Sequence, residues 1–262
     1  MNRTEKLDGW IKKITGAKEE NTPQRHFKKH RNNNTTSKLR IIPLGGLDEV
    51  GKNMMILEYG KEIIIVDMGF QFPEEDMLGV DYVIPDISYL ESRKKHIRAV
   101  IITHGHMDHT GAIPYILPKL GMPPVFATKL TRGLIEKRLD EFGLLKSVNL
   151  NTIDPEKMLK FGPFSVNFFR VAHSIPDGVG MVIDTPQGKI VHTGDFKFDP
   201  DPAGSTERTD IKKISHLCKG PVLALFSDST NSTVPGATVS EKEIGKNLEK
   251  IIQETDGRII IA

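Results

Sequence analysis

The sequence predicts a mixed α/β fold whose strands end at one edge and hand the chain to polar, ligand-bearing loops. Three observations predict it. Apolar runs at residues 63–66, 99–102 and 222–226, the first two rich in β-branched residues, have the composition of buried strands. Stretches with apolar residues at helical spacing, such as 131–142 and 240–254, fall between and after them. His104, His173 and Asp195 each stand just past the end of an expected strand.

Taken in order, residues 39–44 form the first expected strand, followed by a glycine-punctuated loop at 45–53. That loop lacks the G-x-x-x-x-G-K-[ST] order and a following helix pattern, which excludes a nucleotide-binding P-loop. Residues 54–58 and 62–67 flank Tyr59, Gly60 and Lys61, a hairpin signal. Asp67 closes this hairpin. It is either a turn-forming residue or a carboxylate that orients a ligand histidine. The second reading is preferred because the histidine-rich loop downstream needs such a partner. Residues 70–98 make a long acidic connection of the kind that often carries function, with a short helix near 87–95. The strand at 99–102 enters the histidine loop, and a helix follows on Ile113, Ile116, Leu117 and Leu120. A strand at 125–128 and a helix at 131–142 complete the first half. The second half is richer in strands: 164–171, a hairpin of 181–184 and 189–192, and 222–226. For the helix at 240–254, Ser240 is the expected N-cap and Glu243 completes a capping box.

The loop Thr103-His104-Gly105-His106-Met107-Asp108-His109 holds three of the nine histidines and one carboxylate within six residues. Residues i and i+2 of an extended chain point the same way, so His104 and His106 can grip one metal. Asp108 and His109 lie further round the turn, at a helix start, and can face a neighbouring metal. Such ligands suit zinc, and manganese where oxygen dominates. With His173 and Asp195 added, His104, His106 and His173 hold one ion, Asp108 and His109 hold a second, and Asp195 bridges. That pattern fits two-metal hydrolysis of phosphoesters and related bonds. His96, His192 and His216 are assigned structural roles; His192 lies within a strand and out of phase with Asp195.

The chain has 262 residues, one or two domains' worth, and a net charge of +2. The charge is uneven: residues 1–38 carry ten Lys/Arg against four acids, leaving the remainder acidic. This stretch allows a short amphipathic helix near residues 5–15, and residues 17–37 are too polar to pack. It is either a basic arm for nucleic acid phosphates or an acidic surface, or a solvated tail. Cys218 is the single cysteine, so no intrachain disulfide exists and a reducing compartment is expected. No apolar run approaches the ~20 residues of a membrane span, and the N-terminus lacks a signal-peptide core. A cytoplasmic location is expected.

The His-x-His-x-Asp-His loop with the later His173 and Asp195 resembles the metallo-β-lactamase fold, an αββα sandwich. Pro43-Leu44-Gly45-Gly46-Leu47-Asp48-Glu49-Val50-Gly51-Lys52-Asn53, residues 72–81 and 84–90, His192-Thr193-Gly194-Asp195-Phe196-Lys197-Phe198-Asp199 and Ser227-Asp228-Ser229-Thr230-Asn231 are similar to the ribonuclease J family, a β-CASP group. The resemblance implies a cytoplasmic zinc-dependent ribonuclease acting in RNA processing, rRNA included, and in decay, as a 5′-to-3′ exonuclease and an endonuclease. It implies two Zn2+ ions, with Mn2+ or Mg2+ as alternatives, on His104, His106, His173, Asp108, His109 and Asp195. A hydroxide activated by both ions attacks phosphorus, with Asp108 and Asp195 catalytic. It marks Ser229 and Asn231 as substrate contacts and implies a dimer or tetramer for the full-length protein.

By the same resemblance, residues 1–38 are an extension, 39–240 the metallo-β-lactamase domain and 241–262 the start of a β-CASP domain. Family members run longer and supply a further histidine, whereas no histidine follows His216 here. The expectation is an N-terminal portion, its sandwich incomplete at the C-terminus, with impaired activity on its own. The competing expectations are a thioester or lactam hydrolase on the same fold, and a non-catalytic RNA-binding fragment.

Overall fold

The structure, a computed structural model, describes residues 37–199, 201–203, 208–236 and 239–261. The expected basic extension falls almost wholly outside the described residues.

Eleven strands among the described residues form two sheets. The first sheet runs in the order β1 (Leu39–Gly45), β2 (Met54–Tyr59), β3 (Glu62–Val66), β4 (Ile97–Ile101), β5 (Val125–Ala127) and β6 (Leu150–Thr152). The second is ordered β11 (Val222–Phe226), β10 (Gly188–His192), β9 (Val179–Thr185), β8 (Phe164–Arg170) and β7 (Leu159–Phe161). The helices are α1 (Ser88–Glu91), α2 (Met107–Thr110), α3 (Ile113–Ile116), α4 (Lys129–Glu141), α5 (Ile211–Leu217) and α6 (Glu241–Glu254).

Strand alternation sorts the apolar side chains into layers. On β2 and β3, Met54, Ile56, Ile63 and Ile65 face outward to Ile113, Ile116, Ile135 and Leu139 of the helical layer. Their neighbours Met55, Leu57, Ile64 and Val66 face inward, against Phe164, Val166, Phe168, Met181 and Ile183 of the second sheet. The far side of that sheet packs Phe169, Val171, Val182 and Val191 against Ile214, Leu217 and Cys218, on and just past α5. The result is a helix–sheet–sheet–helix sandwich.

Strand direction then gathers the polar residues. β3 and β4 are parallel, with Val66 opposite Ile101, so Asp67 and Thr103 leave the first sheet side by side. β8 and β10 are both antiparallel to β9, and β11 is parallel to β10. His173, Asp195 and Asp228 therefore emerge at one edge of the second sheet. The Val179 amide donates to the Thr103 carbonyl at 3.0 Å, tying the two sheets together at this edge.

Several expectations need correction. The helix after the histidine loop is broken into the single turns α2 and α3, because Pro114 and Pro118 cannot donate to an i−4 carbonyl. The helix expected near 87–95 is α1 followed by a 3-10 turn at Lys94–His96. Ser240 is the N-cap residue of α6, yet no capping box forms: its hydroxyl donates to the Asp201 carbonyl at 2.6 Å. Asp199 accepts from the Glu241 amide instead, at 2.9 Å. The three-residue strands β6 and β7 and the helix α5 had no periodic signal long enough to announce them.

Candidate metal centre

The histidine loop is held by backbone bonds rather than by helix length. α2 is one turn long, and its carbonyls are taken up by the chain beside it. Met107, Asp108 and His109 accept from the amides of Phe70, Asn53 and Met68 at 3.2, 3.1 and 2.8 Å. Gly69 makes this approach feasible: a Cβ there would stand 1.5 Å from the Asp108 carbonyl oxygen. Asp67 starts this segment at φ +61°, a left-handed conformation that Asp tolerates better than most residues.

The buried Asp67 carboxylate accepts from the Thr103 amide (2.8 Å), the Thr103 hydroxyl (2.9 Å) and His109 Nδ1 (2.8 Å). The Thr103 hydroxyl lies 3.0 Å from His104 Nδ1. Since a carboxylate only accepts, Thr103 spends its proton on Asp67 and accepts from His104 Nδ1–H. One buried acid thus aims the Nε2 of both histidines at the opening.

Two groups of donors result. His106 Nδ1 lies 3.1 Å from both His104 Nε2 and His173 Nε2. Three imidazole nitrogens facing one point cannot all hydrogen-bond one another, but they can share a cation. A tetrahedral zinc with Zn–N bonds of about 2.0–2.1 Å would set neighbouring donors roughly 3.3–3.4 Å apart, close to the spacing found. On the other side, His109 Nε2 lies 3.5 Å from Asp108 Oδ2 and 3.4 Å from Asp195 Oδ1. Asp195 Oδ2 points the other way, 3.9 Å from His104 Nε2 and 3.7 Å from His173 Nε2. The two compact sets, His104–His106–His173 and His104–His109–Asp195, are each able to hold a metal ion.

The charges suit that use. Burial pushes the His104 pKa down to about 2, helped by the nearby His109, so this imidazole is neutral. Burial likewise lowers His173. For His109, burial opposes charge, but Asp67, Asp108 and Asp195 outweigh it and raise the pKa well above the usual imidazole value. For Asp195 burial would raise the pKa; the hydrogen bond and charge of His109 outweigh that and keep the carboxylate ionised. A cation on the Nε2 side would replace the proton that His109 carries there.

The cluster opens into a cleft of about 370 Å³ walled by the 45–53 loop, Asp195 and residues 226–230. Of the six expected ligands, Asp108, His109 and Asp195 line this cleft, and His104, His106 and His173 lie beside them in the cluster but outside its lining. Ser229 lines the cleft, whereas Asn231 is exposed and lies outside its lining. His192 borders the cleft but turns Nδ1 to accept from the Gly194 amide at 3.1 Å, a structural bond. Sequence reasoning gave no role to Asn53 or Thr103, which contact the expected ligands. The one hint for Asn53 was its place at the end of the glycine-punctuated loop.

The fold and this cluster define a class. The family model of the Metallo-beta-lactamase superfamily matches residues 47–232, and the chain belongs to that superfamily. Within it, the likeness is to ribonuclease J. Ribonuclease J 1 of Streptococcus pyogenes is 47% identical over 222 residues, which are 85% of this chain and 39% of that protein. Ribonuclease J of Synechocystis is 41% identical over 230 residues, 87% of this chain and 36% of that protein. The chain thus spans about two fifths of the length of these relatives. A protein of unknown function from Enterococcus faecalis shares the fold at a TM-score of 0.62 and 19% identity, with 86% of this chain and 59% of the other covered. No helix among the described residues is long and apolar enough to cross a membrane.

Proposed function

We propose that this chain carries the metal centre of a zinc-dependent ribonuclease that hydrolyses RNA phosphodiester bonds. In this reading it works as a 5′-to-3′ exonuclease and an endonuclease in RNA processing, rRNA included, and in decay. It acts in the cytoplasm, within a dimer or tetramer. Residues 39–240 are its metallo-β-lactamase domain. Residues from 241 begin a separate unit, a division supported by α6, which buries none of its residues.

The observation that carries the reading is Asp195, whose two oxygens face two different donor groups. A carboxylate placed in this way can serve both ions of a two-metal centre. In the proposal His104, His106 and His173 would hold one ion and Asp108 and His109 the other, with Asp195 shared between the two groups. Such ions would supply an activated water near neutral pH and offset charge on the phosphoryl oxygens. The protein's part is to hold and aim. Asp67 fixes the His109 ring directly and the His104 ring through Thr103. Asp108 and Asp195 stay ionised, because His109 holds both carboxyls below their ordinary values against the effect of burial. The 45–53 loop and Ser229 wall the cleft in which an RNA backbone would lie. The identity to ribonucleases J supports RNA over a thioester or lactam.

The test is incubation of a 5′-labelled RNA with the zinc-loaded protein in its full-length context. Stepwise or internal cleavage is expected, and His104→Ala or Asp195→Ala should abolish it. Turnover of a thioester or lactam with none of RNA would overturn the proposal. So would RNA binding with less than one metal per chain.

A further inference from the structure

Asn53 stands over the His109 side of the centre without being one of its donors. Its backbone is held at both ends: its amide donates to the Asp108 carbonyl at 3.1 Å, and its carbonyl accepts from the Gly69 amide at 2.9 Å. Its side-chain Nδ2 lies 3.2 Å from the same Asp108 carbonyl, 3.4 Å from Asp108 Oδ2 and 3.1 Å from His109 Nε2. The other end of the carboxamide is fitted against Gly46, where a Cβ would come within 2.2 Å of Oδ1. Gly46 has φ +81°, a conformation that favours glycine, so the loop presents a bare backbone to Asn53. The amide is therefore wedged between the 45–53 loop and the Asp108 carboxylate. About a third of the Asp108 side chain is accessible, and it sits on a single helical turn. In the metal-free protein His109 Nε2 also faces Oδ2, at 3.5 Å; once an ion replaces the proton on Nε2, Asn53 Nδ2 is, among the described residues, the side-chain donor left within reach of Oδ2, and without it the carboxylate can turn towards water.

We propose that Asn53 is a positioning residue that fixes the Asp108 carboxylate and thereby sets the divalent-cation affinity of the His109 side of the centre, leaving the three-histidine side untouched. The inference rests on the two-ion reading above. Groups that hydrogen-bond ligating side chains typically change metal affinity 10- to 100-fold when removed.

The test is cobalt(II) titration of the chelator-treated protein in its full-length context, followed by its visible absorption and by metal content. Wild-type protein should take up cobalt in two phases, with His106→Ala removing the three-histidine phase. Asn53→Ala should weaken the other phase about 10- to 100-fold and leave the three-histidine phase unchanged. Asn53→Ser, whose short hydroxyl does not span to Asp108 Oδ2, should do the same. In an Asp108→Ala background, Asn53→Ala should cause no further loss, because the carboxylate through which it acts is gone. Circular dichroism melts report whether each variant is folded. The inference is overturned if Asn53→Ala titrates like wild type, if both phases weaken together, or if its loss adds in full to that of Asp108→Ala. Failure of the two-ion reading itself shows earlier and separately, as a wild-type chain that takes up no cobalt or a single equivalent.

Discussion

Asp67→Asn isolates what the buried carboxylate does. Asn keeps the shape and tolerates the φ of +61° at this position, so the backbone can stay. What changes is the hydrogen-bond inventory. Asp67 accepts from the Thr103 amide, the Thr103 hydroxyl and His109 Nδ1, and an amide has one accepting end and one donating end. If its oxygen stays on the Thr103 amide, its NH2 faces His109 Nδ1. The imidazole must then accept at Nδ1 and keep its proton on Nε2, the nitrogen aimed at Asp108 and Asp195. Two magnitudes follow. Losing one hydrogen bond to a charged group costs about 1.5–3 kcal/mol, which for a chain of this size lowers Tm by roughly 2–4 °C per kcal/mol. Placing the proton on the donor nitrogen should cost about 10- to 100-fold in metal affinity. Thermal melts of the metal-free protein read the first and competition with a chelator dye reads the second. The asymmetry is the informative part: the His109 side should weaken more than the three-histidine side. A variant that melts lower but binds metal as the wild type does would refute the tautomer argument and leave Asp67 a purely structural residue.

Other perturbations test the frame around the centre. His173→Ala should remove tight binding on the three-histidine side with little change in the melt of the metal-free protein, checked by metal analysis and calorimetry. Gly69→Ala drives a Cβ into the Asp108 carbonyl and should cost at least the ~1–3 kcal/mol of overpacking, read from the urea midpoint together with loss of metal. Phe168→Ala, at the centre of the inter-sheet layer, should lose about 3–5 kcal/mol in the same unfolding experiment. Asp177 accepts from the Leu130 amide at the start of α4 and pairs with Arg170; Asp177→Ala should cost about 1–2 kcal/mol, as for a lost helix cap.

The cluster of His and Asp side chains able to hold a metal was legible because three histidines and an aspartate in six residues is a pattern that packing alone does not produce, and because strand ends mark where a sheet can present side chains. The position of Asp67 was legible too, as an acid at the end of a fully apolar run, but its hydrogen bonds to Thr103 and His109 were not. The break in the helix after the loop was also written in the chain, at Pro114 and Pro118, and periodicity of the apolar residues masked it. The capping box failed because two acceptors far along the chain, Asp199 and the Asp201 carbonyl, reach the start of α6 first. Strands of three residues such as β6 and β7 exist by virtue of their neighbours in the sheet and leave no local trace.

By itself, then, the chain determined the donor types, their spacing within the loop and the alternation that sorts apolar side chains to one face or the other, since these are properties of neighbours in sequence. Only the tertiary structure decided that Asp195 turns one oxygen to each donor group, that Asp67 reaches His104 through Thr103, and that Asn53 lies against Asp108. Those contacts join residues 22 to 91 positions apart. They depend on parallel strands of two sheets delivering their ends to one edge, which no local pattern encodes.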